Sequence, residues 1–235
     1  MSASTAFAVT KNRYIEVFGV DYSSSIKLAK MVIVYGNNPT LNFIGSSPYF
    51  IVTGKGNSGD NDTIKGYKNG AETETTITVS EDKFTTDLGT DENLVTAGEL
   101  EKGDIIRYIT DNKGEAVAIQ LVYDSSEDVM YDSESEETQY IKEDEGSGSD
   151  FIAMFGEVTN KDTTDSKVTV NADKERIHKF NNNTKVFKLM TNGGVEISSM
   201  EEVYDGSDGM DVSKVILIAT SVTSEATAQT IYIIE

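Results

Sequence analysis

Cysteine is absent from this 235-residue chain, which excludes a disulfide framework, a thiolate nucleophile and any cysteine-based metal site. Histidine occurs once, at His178, so imidazoles cannot assemble a zinc site, and a catalytic dyad on that ring would need a partner that no motif supplies. Tryptophan is missing, and the only two prolines are Pro39 and Pro48, so nearly every residue can donate to a backbone ladder. Positive charge is scarce: 20 Lys and Arg stand against 40 Asp and Glu, a net charge of -20. Such a field repels nucleic acid and anionic membrane surfaces, so neither is an expected partner. No apolar run is long enough for a membrane span, and residues 1–8 lack the basic and apolar regions of a signal peptide. The expectation is a chain without its own export signal, either intracellular or part of something longer. Catalytic signatures are missing too. There is no G-x-S-x-G or P-loop, Gly54-Lys55-Gly56 lacks the third glycine of a dinucleotide fingerprint, and no carboxylate pair stands out among so many. An enzyme is not expected.

What remains is rich in Thr, Val, Ile, Tyr and Gly, residues that fit a pleated, half-buried surface. The organising stretch is 98–123. Two β-branched and aromatic runs, 105–110 and 116–123, flank Asp111-Asn112-Lys113-Gly114, a turn composition, and Gly103 marks the sharp bend into the first run. The pattern predicts an antiparallel hairpin inside an all-β fold of tandem small β-barrel or sandwich units with very little helix. Turn signals recur about every ten residues, the spacing of a barrel or sandwich.

Four segments are expected. Residues 1–47 form an N-terminal strand segment, with strands at 13–19, 29–35 and 41–44, that can complete a unit in a neighbouring molecule. A first β unit spans 48–123, with strands at 49–53, 64–67 and 74–79, a polar glycine-rich loop at 54–62, a turn at Asn69-Gly70 and an aperiodic excursion at 80–97. Residues 124–150 are an acidic linker or loop, too poor in apolar area to offset ordering entropy, with short strand candidates at 129–131 and 140–141. A second β unit spans 151–235, with strands at 151–158, 167–170, 176–180, 185–189, 214–219 and 230–234. Within it, 181–184 reads as a hairpin connection, and 198–203 reads as a single helical turn with a serine cap followed by acidic residues. An internal echo aligns 21–35 with 205–219, setting Met31-Val32-Ile33-Val34 against Val215-Ile216-Leu217-Ile218. A chain that starts inside such a repeat leaves a sheet edge to be covered or paired with another molecule.

Asp205, Asp208 and Asp211 lie close together in a glycine-containing loop, as do Asp60 and Asp62, and are the candidate ligands for calcium, a hard cation that takes oxygen. Neither loop has the EF-hand spacing, so a solvated turn is the preferred reading and no cofactor other than calcium is entertained. His178, beside Lys179, reads as a surface strand residue. Tyr49, Tyr67, Tyr108 and Tyr123 could stack on sugars, although strand aromatics usually belong to the core.

Leu100-Glu-Lys-Gly-Asp-Ile-Ile-Arg-Tyr108 with Asn112-Lys-Gly-Glu-Ala-Val-Ala-Ile119, Ile64 to Gly70, the strand over 151–158 and the ending Ser213 to Ala219 resemble the β-rich non-anchor regions of clostridial surface proteins that carry S-layer homology domains. The resemblance covers the chain from about residue 29 onward and supplies no functional residues. It implies a non-enzymatic, extracellular, cell-surface or cell-wall protein of structural or adhesive role. Assembly into a surface layer or fibre would use exposed strands, 13–35 or 230–234, to form a homo-oligomer or polymer, with a cell-wall polymer as a further partner. The alternatives are a phage virion component, tail or capsid decoration, and a carbohydrate- or calcium-binding surface module.

Overall fold

The computed structural model describes residues 14–21 and 28–35, as backbone, and 49–81, 84–86, 93–111, 113–132, 136–143 and 151–235. The fold is all-β and sandwich-like, and its sheets do not close into barrels. Two compact units result. One contains an antiparallel hairpin of β1 (Tyr14–Asp21) and β2 (Leu28–Tyr35), in register from Tyr14↔Tyr35 to Asp21↔Leu28. The strand expected at 41–44 lies outside the described residues.

The other unit contains two large sheets. The first comprises β3 (Phe50–Ser58), β4 (Asn61–Lys68), β5 (Glu74–Thr78), β6 (Ile105–Thr110), β7 (Ala116–Asp124) and β8 (Val129–Met130), in the order β5-β4-β3-β6-β7-β8. The expected hairpin is β6–β7, turned by Asp111, whose Oδ1 accepts the Lys113 and Glu115 amides, and by Gly114 at φ +83°. The expected loop at 54–62 is instead the far half of a β3–β4 hairpin with only Gly59 and Asp60 at its tip. Its glycines fit a bulged, twisted ladder, which composition alone had made look like a loop. The described parts of the 80–97 excursion run along β7, where the Ser80, Thr85 and Val95 amides donate to Ala116, Val117 and Ile119 carbonyls at 2.8–3.0 Å.

The second sheet comprises β9 (Tyr140–Glu143), β10 (Phe151–Asp162), β11 (Lys167–Asn171), β12 (Glu175–Lys179), β13 (Lys185–Leu189), β14 (Val195–Ser198), β15 (Lys214–Ala219) and β16 (Ala228–Ile234). Its path is β12-β11-β10-β15-β16-β13-β14, with β9 also on β10. One local expectation fails here. β12 and β13 are not a hairpin, because β13 leaves the β12 side and pairs in parallel with β16. Val195–Ser198, too short and polar to read as a strand, is drawn into one by pairing with β13. The expected serine-capped turn is the 3-10 turn Met200–Glu202, with Ser199 as its cap. Of the described residues in 124–143, β8 pairs into the first sheet and β9 into the second.

Strand alternation sorts the apolar side chains into three layers. Phe50, Val52, Ile64, Ile106 and Ile119 fill one face of the first sheet, and Val158, Val168, Leu217 and Ile231 fill one face of the second. Between the sheets lies a shared layer that includes Ile51, Ile105, Tyr123, Phe155, Phe187 and Ile216. Full burial of one such side chain is worth roughly 1.5–3 kcal/mol, so this shared layer binds the sheets into one body. Edge-to-face ring pairs, Tyr49–Phe151 at 5.6 Å and Tyr123–Phe155 at 5.5 Å, add orientation.

Candidate functional site

Strand edges are the first candidate. The ending 230–234, expected to reach a neighbour, lies in β16, whose two sides are taken by β15 and β13, so it has no free edge to offer. That leaves the N-terminal strands, and Arg13 lies outside the described residues. Around the body, the outer strands are guarded in familiar ways. β12 carries Glu175, Arg176 and Lys179, β5 is threonine-rich and begins with Glu74, and β14 is only 4 residues long. Ile197 on β14 is nonetheless 55% exposed. β1 and β2 are eight residues each, and along YIEVFGVD and LAKMVIVY the charges are only Glu16, Asp21 and Lys30.

The acidic loop is the second candidate. Asp205 turns its carboxylate back onto the protein: Oδ2 accepts the Lys161 amide at 2.7 Å, and Oδ1 accepts the Ser207 amide at 3.0 Å and its hydroxyl at 2.6 Å. These donors, the Ser207 hydroxyl foremost, hold its pKa down to about 2. Asp208 accepts the Met210 amide, at 3.2 Å, and Asp211 is exposed. Among the described residues no group of three or more His, Asp or Glu is placed to hold a metal ion. Asp62 likewise accepts from Asn57 across the β3–β4 hairpin at 3.0 Å.

His178 is buried, at 3% exposure, not on the surface as its charged neighbours suggested. Strand alternation directs it inward opposite Val168 while Ile177 points out, and its Nδ1–H donates to the Ala226 carbonyl at 2.9 Å. Burial pushes its pKa down, against the pull of that hydrogen bond. Tyr49, Tyr108 and Tyr123 are core residues, and Tyr67 is half-buried against Phe187, its ring 5.1 Å away.

Sequence reasoning missed two buried polar groups. Arg107, 1% exposed, lies 5.1 Å from the Tyr49 ring and 5.7 Å from that of Phe151, a cation–π clamp inside the shared layer's margin. Asp104 accepts the Glu101 amide at 2.7 Å, the Ser125 amide at 3.0 Å and the Ser125 hydroxyl at 2.8 Å, tying the bend at Gly103 to the end of β7. Burial raises its pKa despite those donors. Alternation would have marked position 107 as inward, but an arginine there reads as solvent-facing.

Beside Asp104 a cleft of about 570 Å³ opens between 100–102 and 123–126 of one sheet and 189–193 and 234–235 of the other. Tyr123 in its wall donates to Asp128 at 2.8 Å, and burial together with that carboxylate raises its pKa, so the phenol stays protonated at neutral pH. The cleft walls carry no histidine, and Ser125 spends its hydroxyl on Asp104 and the Lys102 carbonyl. No protein-family model, curated protein or solved structure matches this chain.

Proposed function

We propose that this chain is a non-enzymatic structural component of a bacterial cell surface that assembles into a layer or fibre by pairing strands between subunits. The observation that carries the reading is the β1–β2 hairpin, a two-stranded sheet of mostly apolar sequence that belongs to a compact unit separate from the two large sheets. A two-stranded hairpin is marginal in water by itself, and an edge with few charges and no proline is the kind that accepts another strand. The guarded edges of the body turn association away from the large sheets and toward these N-terminal strands.

Light scattering and electron microscopy of the full chain test this. Concentration-dependent oligomers or filaments are expected for the wild type, and Ile33→Pro, which removes a donor from β2, should return the protein to monomers with the far-UV circular dichroism of the body unchanged. A wild type that stays monomeric at millimolar concentration overturns the proposal.

A further inference from the structure

The two large sheets carry the same five-strand plan. In the first, β3, β4 and β5 form a meander, β6 pairs antiparallel with β3, and β7 with β6. In the second, β10, β11 and β12 form the meander, β15 pairs with β10, and β16 with β15. Each plan ends in the same long-range contact, a single parallel bridge from the end of the third strand to the start of the fifth: Val79↔Ala116 in one, Lys179↔Thr227 in the other.

Registers agree too, except for one extra residue, Val122, in the fifth strand of the first sheet. Placing Val52 on Val158 brings the strand-one bulge, Thr53, onto the bulge at Thr159, within the matching runs Val52-Thr53-Gly54-Lys55 and Val158-Thr159-Asn160-Lys161. The pair Ile64↔Ile77 then falls on Val168↔His178. The Val52 amide donates to the Asp104 carbonyl and the Val158 amide to the Ser213 carbonyl, at 2.8 and 2.9 Å, which fixes strand four. With strand four fixed, the shift between Ile109 and Thr110 lands on that between Ile218 and Ala219, so the extra residues in strand five, Val117 and Gln229, coincide. A shared Greek-key plan can arise twice independently, but bulges are position-specific features, and two of them in common point to one unit repeated.

The copies meet through their outer faces, and the same face differs between them. Ile51, Tyr67 and Ile105 of the first copy lie against the second, with Ile51 and Ile105 fully buried. By register their counterparts are Glu157, Asn171 and Lys214, of which Glu157 and Asn171 are exposed. The bulged Gln229 of the second copy grips the turn of the first, its Oε1 accepting from Asn69 Nδ2 at 2.6 Å, while Thr230 Oγ1 accepts the Gly70 amide at 2.8 Å. We infer that residues 50–124 and 151–234 are two copies of one self-cored unit joined outer face to outer face, and that Ile51 and Ile105 make the first copy's face the docking surface on which the second is held through Phe155 and Ile216. The inference does not depend on pairing between subunits.

Giving the first copy the second copy's residues tests it. In the full chain, Ile51→Glu with Ile105→Lys should uncouple the copies: β-type circular dichroism persists, calorimetry resolves two transitions where the wild type has one, and protease cuts within 144–150. A single transition at the wild-type midpoint overturns the docking surface, and complete loss of β signal overturns the self-cored unit.

Discussion

The inner cores of the two sheets solve one packing problem with different residues. Where the first buries Ile77 against Ile64, the second buries His178 against Val168 and satisfies the ring with the Ala226 carbonyl. Where the first sets Phe50 over Gly66, the second has Gly156 and Val170 at the matching positions, so the bulk has moved to the other strand. At the entrance to strand four, Asp104 accepts the Glu101 and Ser125 amides, and Ser213 in the same place accepts the Tyr204 amide at 2.9 Å. Positions are set by register and bulges, and chemistry is free within them as long as volume is conserved and buried polar atoms are bonded.

Crossing residues between the sheets should break this equivalence in a graded way. Gly66→Val, which installs the residue of the second sheet, has the largest expected effect. A Cβ at Gly66 would meet the Ile51 carbonyl oxygen at 1.9 Å and the Phe50 ring at 2.5 Å. The cost should be about 3 kcal/mol, read from the urea midpoint, and adding Phe50→Ala should recover only the ring's share because the carbonyl stays in the way.

Next come the reciprocal changes Ile77→His and His178→Ile. Ile77→His should cost about 2–3 kcal/mol by placing a ring nitrogen in a site built for hydrocarbon. His178→Ile acts mainly on pH dependence. His178 has a folded pKa below its unfolded value, so the folded state favours the neutral ring. Its stability is therefore full above about pH 6.5 and is lost as pH falls from there through the lowered folded pKa. Asp104 has the opposite sign: its raised folded pKa means that acid relieves a buried charge as pH falls toward the unfolded carboxylate value. Thermal melts of His178→Ile between pH 7 and 5 should lose the acid-side decline that His178 causes; an unchanged slope would contradict this assignment.

The smallest effect belongs to the acidic loop, a feature of the second sheet alone. Asp205→Ala forfeits the bonds from Lys161 and Ser207 and should lower the melting midpoint by about 2–3 °C. The difference from wild type should disappear as pH falls from about 4 to 2, because a depressed carboxylate pKa lends stability only above the unfolded value. Since Asp205 spends its oxygens on backbone and hydroxyl donors, calcium or a chelator should leave the midpoint in place.

The hairpin β6–β7 was legible because alternation and turn residues sit next to each other in the chain. Asp205 to Asp211 was legible as a turn for the same reason. His178 was misread because Arg176 and Lys179 flank it, and only the pairing to Val168 shows that the imidazole goes in while Ile177 goes out. The repeat suggested by 21–35 and 205–219 differs from the one the registers show, since apolar strands resemble one another in sequence whatever their place in a sheet. Residues 54–62 were misread because glycine serves bulged strands as well as loops.

Composition and alternation by themselves determined that this chain would be all-β, acidic and without cysteine chemistry, and they located most strands. Tertiary structure decided which strands meet: the parallel β13–β16 pair, the placement of β14, and the closing of β16 on both sides against the free end expected of it. An apolar strand face encodes that it must be buried, but not against what. Ladder hydrogen bonds are the same between any two strands, so partner choice is left to side-chain fit across distances in sequence that local periodicity does not span.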